Sequence, residues 1–110
     1  WYFGKGLDGF TPMGPCLVTR DEFPQPPALA IRTYVNGELR QDAVTDQLLF
    51  SIPHILHELS QGMTLQAGTI IATGTPAGVG MGFDPPKFLQ SGDVVRCEIQ
   101  GIGVLENPVL

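Results

Sequence analysis

The feature that most limits what this chain can fold into is a run of strict alternation that ends at Asn36-Gly37. Leu29, Ile31, Thr33 and Val35 fall on one side, and Ala30, Arg32 and Tyr34 on the other. That is the two-residue period of a half-buried strand. Asn and Gly both tolerate positive φ, so the dipeptide closes a tight hairpin, and Glu38 to Val44 becomes the returning strand. More β structure follows. Val95, Cys97 and Ile99 alternate with Val94, Arg96 and Glu98, and Val104-Leu105 closes the pattern beyond Gly101-Ile102-Gly103. Leu17-Val18-Thr19 and Gly68-Thr69-Ile70-Ile71-Ala72 also read as strands.

One helix fits between these runs. Ser51 is placed to cap it, with Pro53 in the first turn, where a missing N–H is harmless. Thr45 and Asp46 can also cap, but Pro53 would interrupt a helix begun there. Ile52, Ile55, Leu56 and Leu59 form an apolar stripe, and Gly62 supplies the stop. An internal echo links Leu65-Gln66-Ala67-Gly68-Thr69-Ile70-Ile71 to Leu89-Gln90-Ser91-Gly92-Asp93-Val94-Val95. Each is a glycine turn feeding a β-branched pair. Gly4 to Pro15 is a long aperiodic loop of the kind that often carries function. Arg20 to Pro27 is a polar, proline-rich link. The class is α+β and β-rich, with one or two short helices.

Composition narrows the function. The 110 residues allow one domain or a piece of one. Six basic against eleven acidic residues give a net charge of −5, which argues against a nucleic-acid groove. Charged residues make up 15% and hydrophobic ones 43%, against about 25% charged in an average soluble domain. So few charges suggest a chain that does not present its whole outside to water, as part of a larger body or half of an oligomer. No apolar run approaches the ~18 residues of a membrane span. The opening Trp1-Tyr2-Phe3-Gly4-Lys5 does not resemble a signal peptide. It lacks an initiator Met and reads as a chain entered in the middle. Cys16 and Cys97 are too few for a disulfide framework. They read as buried, reduced thiols, which fits a cytosolic or organellar interior.

Three groups of residues are candidates for chemistry. In Thr73-Gly74-Thr75-Pro76 two hydroxyls flank a glycine, whose missing side chain lets a ligand approach the backbone. N–H groups and hydroxyls there can hold a carboxylate or oxyanion; the plainer reading is a strand-to-loop corner. The following Gly78, Gly80 and Gly82 fit neither a phosphate loop nor a dinucleotide fingerprint, for want of Gly-Lys-Ser/Thr and of a helix in register. Lys5 lies between glycines beside Trp1, Tyr2, Phe3 and Phe10. Partial burial or a nearby cation would let it polarise a carbonyl; otherwise it is a solvated loop lysine, and Asp8 is a partner or a turn former. His54 and His57 share a helix, with Glu58 beside them, but this is not the H-E-x-x-H order of a metal site, and the plainer reading is a solvated helix face.

In order along the chain, Gly4-Lys5-Gly6-Leu7-Asp8-Gly9-Phe10, Pro12-Met13-Gly14-Pro15, Val35-Asn36-Gly37-Glu38, Thr73-Gly74-Thr75-Pro76-Ala77-Gly78-Val79-Gly80, Leu89-Gln90-Ser91-Gly92-Asp93 and Gly101-Ile102-Gly103 with Asn107 resemble the C-terminal part of the fumarylacetoacetate hydrolase family. The resemblance runs nearly end to end, closest to the acylpyruvase, isomerase and decarboxylase branch. It implies a mixed, rolled β-sheet fold, here an incomplete domain over residues 1–110, and a homodimer in the cytoplasm or mitochondrion. It implies a 2-oxo or 1,3-diketo acid substrate held on Mg²⁺ or Mn²⁺. The cation would stabilise an enolate formed in C–C hydrolysis, decarboxylation or isomerisation. Lys5 matches the family's active-site lysine. Thr75, within Thr73-Gly74-Thr75, matches its substrate-binding residue, and Asp8 and Gly9 match the loop beside the metal. The family's metal carboxylates and its His–Glu base lie upstream of the lysine loop, and no Glu-x-Glu pair occurs here. The chain alone is therefore expected to bind no Mg²⁺ and to be inactive. The competing reading is a non-catalytic β-rich association module or inactive fragment.

Overall fold

A computed structural model describes residues 2–23 and 27–110. Trp1, and with it one of the aromatics placed beside Lys5, lies outside them, as does the middle of the proline-rich link at 24–26. Asn36 and Gly37 take φ of 51° and 80°, the left-handed pair that a two-residue hairpin needs. They join β1 (Ala30–Val35) to β2 (Glu38–Val44). β3 (Val94–Ile99) lies on the other side of β1, and β4 (Gly103–Pro108) flanks β3. The sheet is antiparallel throughout, in the order β2-β1-β3-β4. The α+β, β-rich class read from the sequence holds.

Register gives the sheet two unlike faces. Thr33 stands opposite Cys97 and Gln41, Val35 opposite Val95, and Cys97 opposite Leu105. This is the apolar face, and two loops lie over it. Residues 12–15 reach β3 and β4, where a Cβ on Gly103 (φ 134°) would come 3.1 Å from the Pro15 ring. Residues 75–81 cover the β2 end. The other face carries Arg32 paired with Asp42 at 3.0 Å and Arg96 with Glu98 at 2.6 Å. Between Thr33 and Tyr34 the β1–β2 register slips, so that Tyr34 faces Leu39 while Thr33 faces Gln41. Arg40 is the extra residue of this bulge.

The helix α2 (Ile52–Ser60) forms as its cap dictates: the Ser51 hydroxyl accepts from the His54 N–H at 3.3 Å, with Pro53 in the first turn. At the other end, the Gly62 N–H donates to the Leu59 carbonyl. The echoed turns also share their geometry. The Thr69 N–H donates to Gln66 O and the Asp93 N–H to Gln90 O, both at 3.1 Å, and Gly68 and Gly92 sit at φ 87° and 92°.

Three expectations fail. Leu17-Val18-Thr19 is irregular, and residues 70–76 join no ladder. β-branched residues favour extended backbone, but an extended segment becomes a strand only beside a partner, and Ile70 is 71% exposed. Thr73-Gly74-Thr75-Pro76 is accordingly loop rather than strand end. Both cysteines are free, but Cys16 is exposed and Cys97 half-buried. Cys16 lies on the outer loop, its thiol 3.8 Å from the Ile102 carbonyl, and stays exposed.

Candidate active site

β2 organises the Thr-Gly-Thr-Pro segment. The Gln41 amide donates from Nε2 to Thr75 Oγ1 at 2.8 Å and to the Pro76 carbonyl at 2.9 Å. Three residues on, the backbone rests directly on the bulge. A Cβ built on Gly78 (φ 104°) would lie 1.8 Å from the Arg40 carbonyl oxygen. Gly80 is nearly as tight, with Lys87 O 2.4 Å from its absent Cβ. These two glycines permit backbone to meet backbone. Gly74 differs: it adopts φ 116° with nothing within 4 Å of a built Cβ. Its peptide is open to an approaching ligand, and Thr73 and Thr75 beside it are exposed.

Thr75 and Gln41 line a cavity of about 230 Å³ on the apolar face, together with Arg40, Met81, Lys87 and Phe88. Its cationic groups share one partner. Lys87 Nζ meets Glu38 Oε1 at 2.6 Å, Arg40 Nη2 meets Glu38 Oε2 at 3.2 Å, and both cations lie about 5 Å from the Phe83 ring centre. The Lys87 hydrogen bond, then the Arg40 charge, hold the Glu38 carboxyl below its usual range.

Lys5 ends the one-turn helix α1 (Tyr2–Lys5) in the N-terminal glycine loop and is exposed. Its carbonyl accepts from Thr11 Oγ1 at 2.6 Å, which ties the loop back on itself. Phe3 and Phe10 are 79% and 66% exposed, so they do not bury it. Asp8 and Gly9 form the turn closed by Phe10 N–H to Leu7 O at 3.1 Å, with Gly9 at φ 77°. The bonds that fix Thr75 come from β2, and the bond at Lys5 stays within its own loop. His54 stacks on Phe50 and His57 meets Gln61.

Sequence reasoning passed over Gln41, Gly78 and the Asn36–Asp93 pair. Gln41 left a signal, because it falls in step with apolar Ala43 and, on the opposite strand, Ile31, and an inward-facing amide needs partners. From the sequence Asn36 is a hairpin residue, and Asp93 belongs to no pair of defined spacing. In fact Asn36 Nδ2 donates to Asp93 Oδ1 at 2.8 Å, Asp93 Oδ2 accepts from the Gln90 N–H, and Asn36 Oδ1 accepts from the Val94 N–H. The hairpin tip is thereby clasped to the start of β3.

An α+β fold with its threonine corner laid on the apolar face of an antiparallel sheet defines a class, and the comparisons agree on which. Residues 1–110 match the model described as "Fumarylacetoacetate (FAA) hydrolase C-terminal". The chain belongs to the fumarylacetoacetate hydrolase family. It is 52% identical over 109 residues to an oxaloacetate tautomerase, YisK of Bacillus subtilis, covering 99% of this chain and 36% of that protein. It is 55% identical to the solved fumarylacetoacetate hydrolase of Exiguobacterium antarcticum, with a TM-score of 0.91 over 97% of this chain and 38% of that one. A maleylpyruvate hydrolase from Sphingobium, solved with manganese(II) and pyruvate, is 41% identical, with a TM-score of 0.85 over 98% of this chain and 38% of that one. The chain thus spans little more than a third of the length of these relatives.

Proposed function

We propose that this chain is the substrate-gripping part of an enzyme acting on a small 2-oxo or 1,3-diketo acid. The reaction is C–C hydrolysis, decarboxylation or keto–enol isomerisation. The observation that carries this is the Thr75 corner: a fixed hydroxyl beside an open Gly74 peptide, on the matched segment of a family whose members include a tautomerase and a hydrolase of such acids. In all three reactions negative charge develops on the oxygen of a 2-oxo group. Donors already in place lower the cost of that charge, because they need not reorganise as it forms. Thr75 supplies the hydroxyl, Thr73 and Gly74 shape the carboxylate seat, and Lys5 supplies the cation. Asp8 and Gly9 shape the loop that carries Lys5 toward the site.

Among the described residues no three His, Cys, Asp or Glu side chains gather as a cation site requires. The residues of this chain do not by themselves fit Mg²⁺ or Mn²⁺. Such an ion belongs to the proposal only as something held by further residues of a longer protein, which we take to act as a homodimer. Calorimetry of the 110-residue chain should show no stoichiometric Mg²⁺ binding; a micromolar site would refute that part.

The decisive experiment uses the full-length enzyme with oxaloacetate and acylpyruvates. Lys5→Ala and Thr75→Val should each lower kcat/KM at least tenfold, a loss of about 1.4 kcal/mol in transition-state binding. Unchanged kinetics in both would favour the rival reading of a β-rich association module. The wide exposure of this chain's apolar side chains supports that rival.

A further inference from the structure

Gln41 limits which way the Thr75 proton can point. A primary amide nitrogen carries two hydrogens and offers no lone pair, whereas a backbone carbonyl only accepts. Pro76 O lies 2.9 Å from one end of the Gln41 amide, so that end is Nε2. The same Nε2 stands 2.8 Å from Thr75 Oγ1, so the threonine oxygen accepts that bond. Its own proton is left over. The Thr75 side chain is exposed and lines the cavity beside β2. We infer that Gln41 is a positioning residue that occupies one lone pair of the Thr75 hydroxyl and so keeps its proton turned away from β2, free to be donated to a ligand oxygen such as that of a carboxylate or enolate.

This rests on the substrate role proposed for Thr75. The arrangement also explains why the support is a side chain on a strand rather than one on the loop. Gly78 seats the loop against the Arg40 carbonyl, next in the chain to the residue whose amide supports Thr75. Hydrogen bonds along a chain also polarise one another, so a hydroxyl that accepts from an amide donates more strongly.

The test is a set of variants in the full-length enzyme, assayed by ketonisation of the oxaloacetate enol. Gln41→Glu places a carboxylate where the amide was; it accepts the Thr75 proton and turns the hydroxyl around. Gln41→Met removes the amide and leaves the hydroxyl free to rotate. The expected order is wild type, then Gln41→Met with a loss of a fewfold in kcat/KM, then Gln41→Glu with a loss of tenfold or more. Both variants forfeit the bond to the Pro76 carbonyl, and the carboxylate also repels that oxygen, so the measurement that separates a structural role from a positioning one is the double variant. In a Thr75→Val background, Gln41→Glu should cost less than twofold further. Damage transmitted through Pro76 would persist there, and full additivity would overturn the inference. Thermal unfolding of each variant separates lost fold from lost donor. If Thr75→Val is itself without effect, the substrate role of Thr75 falls and this inference with it. If Thr75→Val is impaired while Gln41→Glu is normal, only this inference falls.

Discussion

A methyl group added at position 78 would meet the Arg40 carbonyl oxygen at 1.8 Å, in a backbone conformation of φ 104° that side chains rarely adopt. Neither neighbour can yield, because one is strand and the other is the loop that carries Thr75. Gly78→Ala should therefore destabilise the full-length protein by at least ~2 kcal/mol. Gly74→Ala bears only the left-handed strain, roughly 1 kcal/mol, and should leave the fold intact while impairing ligand approach. Urea titration of the two variants side by side checks the contrast. Asp93 makes a pH-dependent case. The Gln90 backbone N–H, then the Asn36 amide, hold its carboxyl below the usual range. A carboxylate with a lowered folded-state pKa adds stability that is complete above its unfolded value, about 3.9. That stability drains away as pH falls through the folded value. The difference in urea midpoint between wild type and Asp93→Asn should be full near pH 6 and close in strong acid. A gap unchanged between pH 6 and pH 2 would contradict the clasp.

Among the elements, the hairpin and α2 were legible because their signals are local. Asn36-Gly37 needs no distant neighbour to turn, and β2 runs from Glu38 to Val44 as the alternation required. Ser51 and Pro53 mark the start of α2 as plainly, and Ser51→Ala should cost about 1 kcal/mol, measured by thermal unfolding. The region around Ile70 shows where local signals run out. It begins from the same turn as β3, with the same glycine geometry, yet joins no ladder, because pairing is decided by what lies alongside. The bulge at Arg40 was equally hidden: nothing in Leu39-Arg40-Gln41 announces which residue will be the extra one. The site was half legible for the same reason. Thr75 and Gly74 stand out as residue types, whereas the contact that fixes Thr75 spans 34 positions along the chain.

At the scale of the whole molecule, the surface is too large for the length. A folded chain of this size should expose roughly 5,900 Å², and this one exposes 8786 Å². The radius of gyration is 15.3 Å, where about 13 Å is usual. Among the described residues only Val35, at 9%, counts as buried apolar core, while Leu49, Phe50, Phe88 and Met81 are more than half exposed. Low charge content made this legible in outline, but not where the open side would be. Prepared alone, the 110 residues should self-associate in sedimentation and bind a hydrophobic dye. A monodisperse, dye-silent monomer that unfolds cooperatively would show that the sheet and its two loops suffice. Quality-control machinery reads bare aliphatic and aromatic surface as unfinished manufacture, so these 110 residues expressed by themselves should be cleared faster than the same residues within a longer protein.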